Sequence, residues 1–340
     1  MSNSPGMKIK SSIPVIDVSP FVTGLGDRAA VAVQLRKACS EFGFFYIVGH
    51  GISEELQDRL EKYSQQFFAQ SKEEKMKIKM ALGGRAWRGF FPVGDELTSG
   101  KPDLKEGLYL GVELNENDPR VRAGRPLHGR NLFPENMPEF KVAILEYIGA
   151  LKKLGHQLME GLSLSLGLKA DYFNEHYTGD PLCLFRIFHY PYFEEKETAE
   201  TQWGVGEHTD YGVLTILKQD DAGGLQIKSK GEWMKAPVIP GAFVCNIGDM
   251  LDRMTGGFYR STPHRVLNRA GRGRFSFPFF FDPNWEAEIN PIPLDGLENI
   301  NDNKAERWDG ASVHEFNGTY GDYILKKVGK VFPDLNREIN

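Results

Sequence analysis

Near residue 180 the hydrophobic periodicity changes from that of helices to that of strands, and no other feature constrains the fold as much. Upstream, apolar residues recur at helical spacing: Val31, Leu35, Ala38 and Phe42 before Gly43, then Leu56, Leu60, Tyr63 and Phe67. A longer series from Phe140 to Leu162 is opened by Pro138 and stopped by Gly167, which predicts one long amphipathic helix. Ser71 and Glu74 have capping-box spacing and start a short helix. Ile13–Asp17, Phe44–Val48 and Gly107–Val112 read as strands, with a polar, Gly- and Pro-punctuated stretch over 83–136. Downstream come short β-type runs at Cys183–Tyr190, Val213–Lys218, Gly224–Ile227, Trp233–Lys235, Ala242–Ile247, His264–Leu267 and Arg274–Phe281. Such runs, separated by turn residues, predict a sandwich or jelly roll. The expected layout is one compact α+β, mainly β unit. An N-terminal helical and strand region spans 1–135, a spine helix with its connection 136–180, a jelly-roll core 181–290, and an extension with a last helix 291–340.

Charge and cysteine content narrow the function classes. Lys and Arg number 41 against 46 Asp and Glu, a formal charge of −5, which leaves no electrostatic footprint for nucleic acid or an anionic membrane. Cys39, Cys183 and Cys245 are far apart and form no CxxC pair, so neither a disulfide scaffold nor a thiolate zinc site is expected. The first twenty residues hold no secretory pattern, and no run of about 18 apolar residues is present to span a membrane. A cytoplasmic monomer acting on a small molecule is the expectation.

Of the eight histidines, only His208 stands two residues from a carboxylate in a strand-and-turn context, Glu207-His208-Thr209-Asp210. Alternate residues of an extended chain share a face, so His208 and Asp210 can converge. His264 opens a strand 54 positions beyond Asp210, enough for intervening hairpins to return. Two imidazoles and one carboxylate leave open positions on a metal, the arrangement of non-haem Fe(II) oxygenases. By itself the pattern is weak, since two ordinary histidines explain it equally well. Ten residues after His264 comes Arg274-Phe275-Ser276. Arg274 and Ser276 share a strand face, with His264 beside them if the strands align, and together they make a charge-assisted clamp for a carboxylate.

With these residues in place, the chain resembles the isopenicillin N synthase-like branch of the Fe(II)/2-oxoglutarate-dependent dioxygenases. The resemblance runs through Gly224-Leu225-Gln226, Asn246-Ile247-Gly248-Asp249, Ser261-Thr262-Pro263-His264-Arg265-Val266 and Arg274-Phe275-Ser276 in family order. Ile13–Asp17 and Gly43–Gly51 resemble the family's N-terminal region, so about residues 13 to 335 are covered. It implies a double-stranded β-helix, a cupin-like jelly roll, with His208, Asp210 and His264 as iron ligands. Arg274 and Ser276 match the clamp for 2-oxoglutarate, and Tyr190 in Phe188-His189-Tyr190-Pro191 matches a tyrosine that bonds the cosubstrate. Phe188 stands where plant members commonly carry Asn, which implies a more apolar inner pocket. The implied reaction uses O2 and 2-oxoglutarate, with ascorbate in support, to oxidise an unactivated C–H bond of a small metabolite by hydroxylation, desaturation or ring closure. Succinate and CO2 are released. An iron oxidase needing no 2-oxoglutarate, as isopenicillin N synthase itself is, is a rival, since the same Arg-x-Ser occurs there. A catalytically silent binding protein is disfavoured by the intact triad.

Other residues carry plainer expectations. His50, in a Gly-His-Gly turn, and His189, alternating away from Phe188 and Tyr190, read as structural, Cys245 as a core residue and Asp249 as a turn residue. Substrate candidates are Arg88, Phe90, Arg186 and Phe188. Cations facing the cavity from Arg85, Arg88, Lys101, Lys105 or Arg186 would favour a carboxylate-bearing substrate such as an amino-acid derivative. The competing expectation pairs them with Glu96, Asp103 and Glu106, leaving an apolar pocket for a neutral compound.

Overall fold

The computed structural model describes residues 13–98, 102–192, 204–229, 231–267, 271–294, 304, 307 and 310–332. In chain order the elements are β1 (Val15–Asp17), α1 (Ser19–Thr23), α2 (Arg28–Glu41), β2 (Phe44–Val48), α3 (Glu54–Phe68), α4 (Lys72–Met76), β3 (Gly89–Phe91), β4 (Glu106–Gly111) and α5 (Pro119–Arg122). There follow α6 (Pro138–Ser165), β5 (Pro181–Tyr190), β6 (Val205–His208), β7 (Leu214–Gln219), β8 (Leu225–Ser229), β9 (Glu232–Lys235) and β10 (Phe243–Ile247). The chain closes with α7 (Asp249–Met254), β11 (His264–Val266), β12 (Arg274–Asn284) and α8 (Tyr320–Val331).

Two sheets face each other. The larger has eight strands in the order β1-β2-β10-β7-β12-β5-β4-β3, and the smaller has four, β6-β11-β8-β9. Interleaving of late and early strands in both sheets, with helices around them, is the expected double-stranded β-helix. Strands β1 to β4 lengthen the larger sheet at both ends, so the N-terminal region and the jelly roll share one hydrogen-bonded layer.

The long helix is a spine, as its stripe of Phe140, Ile144, Tyr147, Leu151, Leu154 and Leu158 requires; all six are buried. It closes on β12 at Gly155, where a Cβ would stand 2.2 Å from the Phe281 ring. Ser53 and Ser71 accept from Leu56 N and Glu74 N as caps of α3 and α4, so the Ser71–Glu74 signal holds. Three short helices, β3 and β6 have no counterpart among the predicted elements. Each has six residues or fewer, too few for a period to show.

Candidate active site

The triad is assembled by strand pairing. In the smaller sheet β11 runs antiparallel to β6 with His264 directly opposite His208, which erases their separation in sequence. The two rings lie 4.2 Å apart between centroids, and the Phe44 edge supports His264 at 5.3 Å. Asp210 follows β6 in a tight loop, its Oδ1 3.8 Å from His208 Nε2 and 3.6 Å from His264 Nε2. One ligand atom from each of the three residues falls within 4.8 Å of the others.

Hydrogen bonds behind the triad aim these atoms. His208 Nδ1 donates to Gly206 O at 2.9 Å and His264 Nδ1 to Thr262 O at 3.2 Å, which directs both Nε2 lone pairs inward. Asp210 Oδ2 accepts from Thr215 Oγ1 (2.5 Å) and Asn246 Nδ2 (2.7 Å), leaving Oδ1 toward the histidines. Burial and the neighbouring His208 push the His264 pKa down to about 4, so its imidazole is neutral at pH 7. For Asp210, burial acts upward but is outweighed by the histidines and by the Asn246 and Thr215 donors, which hold the carboxyl below its usual range. A carboxylate with two imidazoles whose Nε2 atoms face inward is a donor set ready for a divalent cation.

Arg274 and Ser276 come from the opposite sheet. The expected shared face with His264 is corrected here: β11 and β12 belong to different sheets, and their side chains meet across the cavity rather than along one surface. On β12, Arg274 pairs with Tyr190 and Ser276 with Phe188. Tyr190 Oη lies 3.3 Å from Ser276 Oγ, and the Arg274 guanidinium stands 4.6 Å over the Tyr190 ring. Arg274 Nε donates to Gly223 O, whereas Nη1 and Nη2 are buried with no hydrogen-bond partner among the described residues. Two orphaned donors on a fully buried cation mark a place for a planar anion.

Triad and clamp open on one cavity of about 1060 Å³, its mouth included, also lined by Arg186, Phe188, Leu217, Phe280, Asp282 and the α8 residues Ile324 and Val328. Of the four substrate candidates, Arg186 and Phe188 belong to this lining; Arg88 and Phe90 do not. Arg88 is buried elsewhere, its guanidinium donating to Val112 O, Gly129 O, Leu127 O and Asn131 Oδ1 at 2.6–3.3 Å. It braces the 111–131 loop with both terminal nitrogens and stands outside the cavity lining. Phe90 packs against Phe67 and Phe68 in the core, because β3 turns that face away from the cavity. Lys105 pairs with Glu96 and Asp103, as the rival expectation had it, but Glu106 is taken by Lys75, which was not among those cations, and Arg186 makes no ion pair with a described residue. Lys101 lies outside the described residues. The ring of Phe188 carries Lys105 Nζ at 4.8 Å, so the pocket is less apolar than its Phe implies.

Both structural histidines behave as expected. His50 Nδ1 accepts from Ile52 N at 3.1 Å, and its ring stacks 4.1 Å from that of Phe243. His189 turns outward to Glu106 at 2.8 Å and stacks on Phe275.

Two family models match, one described as the non-haem dioxygenase in morphine synthesis N-terminal region, over residues 13–136, and one as the 2OG-Fe(II) oxygenase superfamily, over 181–283. A Dictyostelium discoideum protein named "Probable iron/ascorbate oxidoreductase" is 53% identical over 96% of both chains. The chain belongs to the Fe(II)/2-oxoglutarate-dependent dioxygenase superfamily. It is also 44% identical to a 1-aminocyclopropane-1-carboxylate oxidase of Dictyostelium discoideum (95% of both chains). A homoarginine-6-hydroxylase of Glycine max is 37% identical, covering 96% of this chain and 98% of the relative. Among solved structures, a full-length Neurospora crassa protein in complex with alpha-KG and thymine superposes with a TM-score of 0.78 at 26% identity, covering 95% of this chain and 98% of that one. The protein is therefore an Fe(II)- and 2-oxoglutarate-dependent oxygenase acting on a small organic substrate.

The implied groups fit the residues present. The inward-facing Nε2, Nε2 and Oδ1 set suits iron, and the orphaned Nη1 and Nη2 of Arg274 suit the distal carboxylate of 2-oxoglutarate.

One hub behind the site escaped sequence reasoning. Asp249, expected in a turn, opens α7, and its backbone N–H donates to Asp210 O at 2.8 Å. Its carboxylate accepts from Arg307 Nη2 (2.8 Å) and Tyr323 Oη (2.7 Å), and Arg307 Nη2 also reaches Thr209 Oγ1. Asp249 thus ties the ligand loop to α8, a wall of the cavity. Gly212 keeps that loop tight: a Cβ there would stand 1.5 Å from Asp282 Oδ1. The only sequence signal for Asp249 was its place in the Asn-Ile-Gly-Asp motif, which does not tell a turn from a helix start.

Proposed function

We propose that His208, Asp210 and His264 hold Fe(II), that Arg274, Ser276 and Tyr190 hold 2-oxoglutarate, and that the substrate is a small carboxylate-bearing metabolite received by Arg186 beside Phe188. The observation that carries this reading is the placement of a convergent triad and two orphaned guanidinium nitrogens on opposite walls of one cavity. When bound, iron with 2-oxoglutarate and O2 supplies an oxidant that removes hydrogen from a C–H bond, with release of succinate and CO2.

The chain's own residues set the conditions for that chemistry. Asp210 and the two histidines would hold the cation from one wall of the cavity. Arg274 orients the cosubstrate by its far end, with Ser276 and Tyr190 adding hydroxyl donors. Phe188, Leu217, Phe280 and Val328 exclude water around the reacting carbon. The relatives' names speak of 1-aminocyclopropane-1-carboxylate and homoarginine, both carboxylates, which supports an anionic group at Arg186. The order of motifs supports placement in the isopenicillin N synthase-like branch, and three buried, unpaired cysteines support a reducing, cytoplasmic setting.

The test is O2 consumption with Fe(II) and ascorbate, with and without 2-oxoglutarate, over a panel of small carboxylates. Succinate formed in proportion to O2 supports the reading. O2 consumption that 2-oxoglutarate does not raise would move the protein to the oxidase alternative.

A further inference from the structure

Two groups of opposite charge in the cavity lining are left without full compensation by the described residues, and both touch one tyrosine. The first is negative. Lys105, 1% exposed, lies between two carboxylates: Glu96 Oε2 at 2.8 Å and Asp103 Oδ2. Two carboxylates against one ammonium leave one net negative charge in a group whose members are all more than nine-tenths buried. Thr98 Oγ1 donates to Asp103 at 2.5 Å and Tyr109 Oη donates to Glu96, but these neutral donors do not cancel a charge. Glu96 Oε2 touches Lys105 only as an ion pair and receives no aligned hydrogen bond among the described residues. Burial, with Glu96 beside it, pushes the Asp103 carboxyl up in spite of Lys105, the mark of negative charge short of a partner.

The second charge is positive. The Arg186 guanidinium lies 3.3 Å over the ring of Tyr109, the tyrosine whose hydroxyl bonds Glu96. It makes no hydrogen bond or ion pair with any described residue. Asp282, an acid of the lining that feels the Arg186 charge, is engaged by Tyr320 Oη at 2.6 Å, and burial holds its carboxyl up at about 7. Glu96, Lys105, Tyr109 and Arg186 all line the cavity that holds the triad. Strand pairing fixes the spacing, since Tyr109 on β4 is in register with Arg186 on β5.

A cation and an anion held one ring apart, each incomplete, are complementary to a small molecule carrying both charges on neighbouring atoms. Water satisfies the half-buried Arg186 only in part, and the buried acidic group is matched only by an opposite charge. A plain carboxylic acid would complete Arg186 and leave the acidic pole bare, and a plain amine would do the reverse.

We propose that this cavity is built for a zwitterion: the substrate is a small α-amino acid, its carboxylate on Arg186 and its ammonium on the Glu96–Asp103–Lys105 group. The proposal rests on the reading that this cavity is the active site, and it adds the acidic pole as the determinant of substrate class.

The experiment is calorimetry on the full-length protein loaded with Mn(II) and 2-oxoglutarate. The titrants are the common L-α-amino acids and L-norleucine, together with hexanoate and pentylamine as the deaminated and decarboxylated forms of norleucine. For any amino acid that binds, its own deaminated and decarboxylated forms are then measured. At least one amino acid is expected to bind about tenfold or more tightly than either counterpart, the range of one charge-assisted hydrogen bond. Glu96→Gln should erase the preference of amino acid over carboxylate, with Asp103→Asn as the second variant should the first not fold. Arg186→Met should weaken amino acid and carboxylate alike. The proposal is overturned if no amino acid exceeds its carboxylate counterpart, or if the preference survives in both acidic-pole variants. Binding of 2-oxoglutarate, measured first, separates the two levels: its absence in the unaltered protein is a failure of the active-site reading itself.

Discussion

Replacing Arg274 by Met should separate stability from function. The guanidinium is fully buried, with one hydrogen bond from Nε and none from Nη1 or Nη2 to a described residue. An unpaired buried cation opposes folding, so an apolar side chain of similar length should leave the apo protein as stable as before or more so. The cosubstrate loses two charge-assisted hydrogen bonds, worth roughly 1.5–3 kcal/mol each, or about 3–5 kcal/mol for the pair once imperfect additivity is allowed for. At 1.4 kcal/mol per decade the dissociation constant of 2-oxoglutarate should rise about 100- to 3,000-fold. Arg274→Lys keeps the charge without the fork and should fall between the two, roughly tenfold weaker than the parent. The assay is calorimetric titration of 2-oxoglutarate into Mn(II)-loaded protein, with thermal unfolding of the apo forms alongside. A dissociation constant within about threefold of the parent in a folded Arg274→Met protein would refute the assignment and point to another cation.

Asp210→Ala or His208→Ala removes one of the three proposed ligands and should abolish iron-dependent turnover and tight Mn(II) binding, with the far-UV spectrum unchanged; wild-type turnover at limiting iron would contradict it. Arg88→Met removes four charge-assisted hydrogen bonds that brace the 111–131 loop, so the protein should lose about 3–5 kcal/mol and roughly 5–10 °C in Tm. Because Arg88 stays outside the cavity, 2-oxoglutarate affinity should not change, and a weakened affinity in the folded variant would return it to the site. Glu106 is held below the usual glutamate value: burial acts upward, but His189 and Lys75 outweigh it. A depressed folded pKa adds stability above the unfolded value of about 4.3, and that stability is lost as pH falls through the folded value. The stability gap between the parent and Glu106→Gln, measured by urea unfolding, should therefore be full at pH 7 and shrink below about pH 4.

What the sequence determined by itself is what local periodicity and residue chemistry can encode. Alternation and turn residues after residue 180 dictate short strands, and the stripe from Phe140 to Leu162 dictates a spine. The types and order of His208, Asp210, His264, Arg274 and Ser276 specify which groups are present for a metal and a carboxylate. Tertiary structure decided which of them meet, and across what. His264 reaches His208 because β11 pairs with β6 in that register, and Arg274 faces them from another sheet, which no alternation pattern states. The same holds for the cations. Arg88 and Arg186 are equivalent as letters, yet one is enclosed by the carbonyls of a folded loop and the other lies bare on a tyrosine in the cavity. Asp249 and Glu96 acquire their roles only through partners 58 and 9 residues away, Arg307 and Lys105. Side-chain identity sets what a group can bond; long-range register and burial set what is left for it to bond.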